Sequence, residues 1–247
     1  MQKQSWTIGI LCFNEAGTIA AEIDKTLKVL REIASEFELI VVDDGSTDGS
    51  TEIIKKASAQ SQEITAVIFE KNKGIGAGLR AVYLEAKHEN VLATAGDGQF
   101  DIHEIVPFSN FPENHFISYF RKENSVYNGY RNMLSFINKK MNEKLLGITL
   151  RDVNWAQVYK RDNLKQLDLQ LKSSLLGSEI CAKLLYLGAK KIESESRYLP
   201  RTYGESKGSS FKTVRKAVRD ILTLFLVMVE FKKKNKRNSL ADKRQFV

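Results

Sequence analysis

The stretch ATAGDGQFD carries Asp97 and Gln99 directly after an apolar run of Val91, Leu92 and Ala93. A carboxylate and an amide carbonyl at this spacing are oxygen donors of the kind a hard divalent cation takes. Asp101, two residues on, reads as the N-cap of a following helix. A second acidic group, VVDDGSTDGS, sets Asp43 and Asp44 at the end of another apolar run. One of the two reads as a cap, which leaves the other for a base N–H or a ribose hydroxyl. Asp44, Ser46, Asp48 and Gly49 imitate a calcium loop. Lys55 stands where that loop needs a bidentate acid, and a strand precedes it in place of a helix. Arg201 and Lys207, in PRTYGESKG, are two cations flanking glycine and serine, which suits a phosphate.

Other patterns exclude chemistry. Gly74, Gly76 and Gly78 in NKGIGAGLR follow the third apolar run with G-x-G-x-G spacing. A dinucleotide fingerprint is G-x-G-x-x-G after the first strand, so these glycines read as a tight turn with close helix packing. His88, His103 and His115 are scattered without metal-ligand spacing. The chain lacks a P-loop and a G-x-S-x-G elbow, so P-loop and serine-hydrolase readings have no core motif.

The elements that must position these residues are legible. WTIGILCF, FELIVVDD, ITAVIFE and NVLATAG are short, continuously apolar runs separated by helical stretches. In the first of those stretches Ile19, Ile23, Leu27 and Leu30 recur at helical spacing. The alternation predicts an α/β fold, a doubly wound and mostly parallel sheet covered on both faces. Asn14 and Glu15, Asp43 and Asp44, Lys71 to Lys73, and Asp97 with Gln99 then all fall at the carboxyl edge, where such sheets bind ligands. Further on, HFISYFR reads as a strand ending at Arg121, and YRNMLSFINKKMNEKLLG as a helix. A short strand is expected after Asp152, a helix in GSEICAKLLYLGAKK, a strand in KKIESESRYL and a last helix in FKTVRKAVRDILTLFLVMVEF.

The chain has 247 residues, 43% hydrophobic and 28% charged, which fits one soluble globular domain with a C-terminal extension. Cys12 and Cys181 lie in apolar runs and read as buried reduced thiols of a cytosolic protein. The net charge of +8 is concentrated in the basic tail after Phe231. A phosphate-rich partner is implied, but the acids of the carboxyl edge would repel a nucleic-acid backbone. ILTLFLVMV is about half of what spans a bilayer, and with KKKNKR after it reads as an anchor on an anionic membrane surface.

FNEAGTI, VVDDGSTDGS, NKGIGAGLR, GDGQFD, YFRKEN and PRTYGESKG, in this order over residues 6–210, resemble family 2 glycosyltransferases of the GT-A fold. The nearest resemblance is to the dolichol-phosphate mannosyltransferase and polyprenyl-phosphate glycosyltransferase group. It implies a GT-A domain over 1–210 and an apolar helix with basic tail over 211–247. It implies inverting transfer of a sugar from a nucleotide diphosphate sugar to a polyprenyl phosphate, at the cytoplasmic face of a membrane. The nucleotide contacts would be Phe13, Glu15, Val42, Asp43, Asp44, Lys73 and Gly96. Asp97 and Gln99 would hold Mg2+ or Mn2+ and the diphosphate, and Arg121, Arg201 and Lys207 would complete the reacting site. Ala95 departs from the pattern, standing where the first acid of D-x-D is usual; Cys12 and Phe13, where a P-x-Y form often precedes Asn-Glu, and Trp155 with Gln157 depart as well. Two alternatives stay open: transfer to a polysaccharide or other non-lipid acceptor, and a non-catalytic nucleotide-sugar-binding protein.

Overall fold

Alternation within the strands decides which layer each side chain joins. Ile40 and Val42 face one core with Val91 and Ala93, while Leu39 and Val41 face the other with Ile8, Ile10 and Leu92. Both faces of the sheet are therefore buried, as continuously apolar strands require. The computed structural model describes residues 3–121, 140, 142–201 and 211–244, the last segment with side chains from 219 to 236.

Among the described residues seven strands form one sheet: β1 (Trp6–Cys12), β2 (Phe37–Asp43), β3 (Ile64–Ile68), β4 (Asn90–Ala95), β5 (His115–Arg121), β6 (Gln157–Lys160) and β7 (Lys190–Ser196). Their order is β3-β2-β1-β4-β6-β5-β7. The pairs β1–β2, β1–β4, β2–β3 and β5–β7 are parallel; β6 runs antiparallel between β4 and β5. The helices among the described residues are α1 (Ile19–Ile33), α2 (Ser50–Gln60), α3 (Ile75–Glu85), α4 (Arg161–Lys165), α5 (Leu176–Tyr186) and α6 (Phe211–Arg244). A 3₁₀ turn spans Ile102–Phe108 and a π turn Asn142–Leu146. The rest of the helix expected before Gly147 lies outside the described residues.

The strand order reverses between β1 and β4, with Leu11 level with Ala95. A crevice opens beyond the carboxyl ends of strands at such a switch point. Helices α1 and α2 with the 3₁₀ turn cover one face, and α3, α5 and α6 the other. The four α1 residues picked out by periodicity are all buried. Burial pushes the Cys12 thiol up to about 11 and the Cys181 thiol up to about 12, which leaves both protonated and inert.

The glycines after β3 let α3 approach the loop that precedes α5. A Cβ at Gly76 would lie 2.3 Å from the Ser173 carbonyl oxygen and 2.5 Å from that of Lys172. These are backbone atoms that cannot rotate away. Gly76→Ala is therefore expected to cost about 1–3 kcal/mol, measured by urea unfolding. A null effect would show that the 172–173 backbone yields freely.

Candidate active site

The chain leaves β1 at Cys12 and turns at once. Asn14 takes a left-handed backbone, φ 58°, which asparagine tolerates better than most residues. Its Oδ1 accepts the Thr47 N–H at 2.9 Å. Three successive amides then donate into the turn after β2: Asn14 to Ser46 Oγ at 2.9 Å, Glu15 to Ser50 Oγ at 3.0 Å and Ala16 to Asp48 Oδ2 at 2.9 Å. The Asn-Glu and Asp-Asp segments, distant in sequence, are thus one hydrogen-bonded unit.

Within it the adjacent acids divide the work. Asp43 is wholly buried; it accepts the Ser46 N–H at 3.0 Å and the Thr51 hydroxyl, and so builds the turn. Asp44, also largely buried, accepts the Lys73 N–H at 2.6 Å and the Gly74 N–H at 2.8 Å, which ties the loop before α3 to the end of β2. Val42 is a core residue, 1% exposed, so only its backbone could meet a ligand. Lys73 lays its ammonium over the Phe69 ring, 4.1 Å from the centroid. Gly96 donates to the Leu11 carbonyl at 2.8 Å and accepts the Thr18 hydroxyl at 2.7 Å, which locks the exit of β4.

Asp97 follows, nearly buried. Its Oδ1 accepts the Gln99 N–H at 3.1 Å and its Oδ2 the Arg201 Nη2 at 2.7 Å. The Arg201 Nη1 lies 3.4 Å from Glu15 Oε1. One guanidinium therefore bridges acids from the ends of two neighbouring strands. Burial holds the Glu22 carboxyl above its ordinary range; Lys25 opposes the rise and the Asp97 charge adds to it.

Two cavities meet at this point. The outer one, about 930 Å³, is lined by Phe13, Asn14, Glu15, Asp44, Asp48, Asn72, Gly74 and Arg201. The inner one, about 430 Å³, is lined by Tyr83, Thr94, Asn154, Trp155, Gln157 and Ser174 among apolar neighbours. Leu11, Ile75, Ala95 and Asp97 border both. The small side chain of Ala95 leaves the passage between them open beside Asp97.

Phe13, Glu15, Asp44, Asp97 and Arg201 are thus brought together, while Val42, Asp43, Lys73 and Gly96 stand behind or beside them. Gln99 turns its amide nitrogen to the Tyr198 hydroxyl at 2.6 Å. Arg121 borders neither cavity. It holds Asp152 through both oxygens, Nε at 2.8 Å and Nη2 at 3.3 Å, and its guanidinium lies 4.8 Å from the centroid of Trp155. Trp155 is fixed on its other side by Nε1–H to Ser196 Oγ at 2.8 Å. Lys207 lies outside the described residues. Tyr198, Tyr83 and Asn154 were not singled out by sequence reasoning; the departures at Trp155 and Gln157 were the available signal for the inner wall.

The model of the family described as "Glycosyl transferase family 2" matches residues 7–167. An undecaprenyl-phosphate 4-deoxy-4-formamido-L-arabinose transferase of Proteus mirabilis is 25% identical over 220 residues, 88% of this chain and 66% of that protein. A dolichyl-phosphate beta-glucosyltransferase of Trichomonas vaginalis is 33% identical over 104 residues, 40% of this chain and 31% of the relative. The chain spans about two thirds of the length of the first of these. Among solved structures, glucosyl-3-phosphoglycerate synthase of Mycobacterium tuberculosis, in complex with Mn2+, UDP and glucosyl-3-phosphoglycerate, superposes with a TM-score of 0.66 at 16% identity. It covers 91% of this chain and 80% of its own. A mannosyltransferase of Pyrobaculum calidifontis with GDP-Man and Mn2+ gives 0.59 at 14% identity, covering 100% and 81%. The likeness to these structures is one of fold, a mixed, mostly parallel sheet of GT-A type. The family match covers well over half the chain, from the first strand through the cavity wall at Trp155, and this protein is a family 2 glycosyltransferase.

Proposed function

We propose that the chain transfers a sugar, with inversion, from a nucleotide diphosphate sugar to a polyprenyl phosphate at the cytoplasmic face of a membrane. The observation that carries this is the junction of the two cavities at Asp97, one large enough for a nucleotide and one for a sugar. Relatives named for undecaprenyl-phosphate and dolichyl-phosphate transfer support the acceptor class.

The donor set at Asp97 fits a divalent cation that draws most of its ligands from phosphate and water. Mg2+ in particular is commonly held by one or two carboxylates plus substrate phosphates. Asp97 supplies the carboxylate. The Gln99 amide, its nitrogen end anchored on Tyr198, keeps a carbonyl oxygen as a second donor. Among the described residues no three acidic, histidine or cysteine side chains gather as a resident metal site would need. Mg2+ or Mn2+ bound there would neutralise the leaving diphosphate.

The chain's own groups supply the rest. Asn14, Glu15 and Asp44, on the stitched turns, define the nucleotide cavity. Arg201, now on Asp97 and Glu15, is the cation placed to donate to a phosphate entering beside them. An acceptor phosphate oxygen forms the bond to the anomeric carbon as the bond to the diphosphate breaks, and the electron pair leaves with the nucleoside diphosphate. A phosphate monoester has its second pKa near ~6, so no general base is needed to generate this nucleophile. Arg121, through Asp152 and Trp155, sets the wall of the sugar chamber. Lys207 belongs to the same proposal by its place in the R-x-x-G-x-S-K segment.

Arg201→Ala is expected to slow transfer about tenfold or more, the worth of a charge-assisted contact. The same change frees Asp97 from its competing partner, so Mn2+ alone should bind more tightly. Single-turnover transfer and Mn2+ calorimetry check the two halves. The wider proposal is tested by calorimetry of UDP, GDP and their sugar conjugates, with and without Mn2+. Binding of none of them would leave the nucleotide-sugar reading without support.

A further inference from the structure

Helix α6 is apolar over two adjoining faces, centred about 120° apart by helical spacing. Ile221, Leu224 and Met228 are buried in the core with residues of α5. On the other face Leu222, Phe225, Leu226 and Val229 follow i, i+3, i+4, i+7 spacing and form a second stripe. Leu222 is 56%, Phe225 38% and Leu226 65% exposed. A surface helix needs one apolar stripe to pack on its domain; a second, facing water, marks a surface that another body covers.

Charge identifies that body. Arg219, Lys233 and Lys236 are exposed at the two ends of this stripe, by the same helical spacing. Between 219 and 236 the helix carries five cations against two acids, Asp220 and Glu230. A second copy fits badly. An antiparallel pair centred on Leu226 would set Arg219 against Lys233, and a parallel pair would set each cation against itself. An anionic bilayer surface takes both features at once, with the leucines and Phe225 in the interface and the cations among the headgroups.

We infer that the Leu222–Val229 stripe of α6 docks on an anionic lipid surface with its helix lying in the interface plane. This deepens the reading of a lipid-linked acceptor and rests on it. Helix α6 begins ten residues after Arg201, so docking it places the reacting site within a short chain length of the surface that holds a polyprenyl phosphate. No helix among the described residues is long and apolar enough to cross a membrane.

The test is flotation of the full chain with phosphatidylcholine vesicles, with and without phosphatidylglycerol, over a range of salt. Binding is expected only where phosphatidylglycerol is present, weakening as salt rises. Leu222→Ser with Leu226→Ser should lower it about tenfold or more. Lys233→Ser with Lys236→Ser should do the same and flatten the salt dependence. Equal flotation of wild type and variants, or none by wild type, overturns the inference. So does a dimer that the leucine pair converts to monomer in sedimentation velocity. Nucleotide binding, measured on the same preparations, separates the cases: intact binding without flotation rejects the docking stripe alone, and flotation without nucleotide binding rejects the transferase reading.

Discussion

Asp97→Asn is expected to lower transfer by about a hundredfold or more while the protein remains folded. The side chain is the acid that borders both cavities, and the substitution keeps its shape. An asparagine oxygen can still accept the Gln99 N–H that Oδ1 accepts now at 3.1 Å. What is lost is the negative charge beside the leaving diphosphate, and with it the cation's one carboxylate. Removing a single preorganised group that stabilises developing charge typically costs about 10²–10³ in rate. The Arg201 contact at 2.7 Å is lost as well, but that guanidinium keeps Glu15. Calorimetry should show Mn2+-dependent donor binding abolished and the Mn2+-independent part retained. Ala95→Asp is the complementary change: it restores a second acid at the passage and should tighten Mn2+. Unchanged Mn2+ affinity in Asp97→Asn would remove the metal role assigned to this residue.

Glu179→Ala is expected to cost about 3–5 kcal/mol of stability, the range for stripping one partner from a buried ion pair. Glu179 and Lys183 are one turn apart on α5, 2.6 Å between Oε1 and Nζ, with side chains 0% and 1% exposed. Glu179 also accepts the Gln170 and Leu171 N–H groups, each at 2.8 Å. Lys183 donates to the Asp168 carbonyl and lies 5.0 Å from the Phe231 ring centroid. This pair therefore fastens the loop before α5 to the helix, and the helix to α6. Without Glu179 two amides lose their acceptor, and a buried ammonium keeps the Asp168 carbonyl but loses its counter-charge. An exposed i,i+4 pair would be worth only about 0.3–0.5 kcal/mol. Urea unfolding distinguishes the two, and a loss below about 1 kcal/mol would mean that the loop opens to water instead.

That pair shows where sequence reasoning stops. In GSEICAKLLYLGAKK the spacing of Glu179 and Lys183 is that of a solvated surface pair, and nothing in it signals burial from both sides. The N-terminal half was far more legible. Continuous apolar runs and the α1 periodicity forecast β1 to β4 and the helices between them, because β1, β2 and most of β4 are buried on both faces and each helix on one; β3, at the sheet edge, is only partly buried. The carboxyl-edge rule then gathered Glu15, Asp44 and Asp97 before any coordinates did. Arg201 arrived from far along the chain on its loop motif alone. The division between Asp43 and Asp44 was half readable: adjacency said that one would cap, but not which. The antiparallel insertion of β6 was not readable, since a four-residue strand, QVYK, carries no direction. The same limit hid the Arg121–Asp152–Trp155 arrangement. It is made across strands by residues that look equally like ligand contacts or supports, and in the structure Arg121 grips Asp152 and stacks its guanidinium near Trp155.

The most direct measurement is transfer itself. The full chain is incubated with radiolabelled nucleotide diphosphate sugars, one at a time, and a polyprenyl phosphate, with Mn2+ or with a chelator. The predicted result is a sugar-linked polyprenyl phosphate from one donor class, formed without a requirement for a titrating base near neutral pH and lost on chelation. Transfer to a non-lipid acceptor with none to polyprenyl phosphate, across every donor that binds, would contradict it.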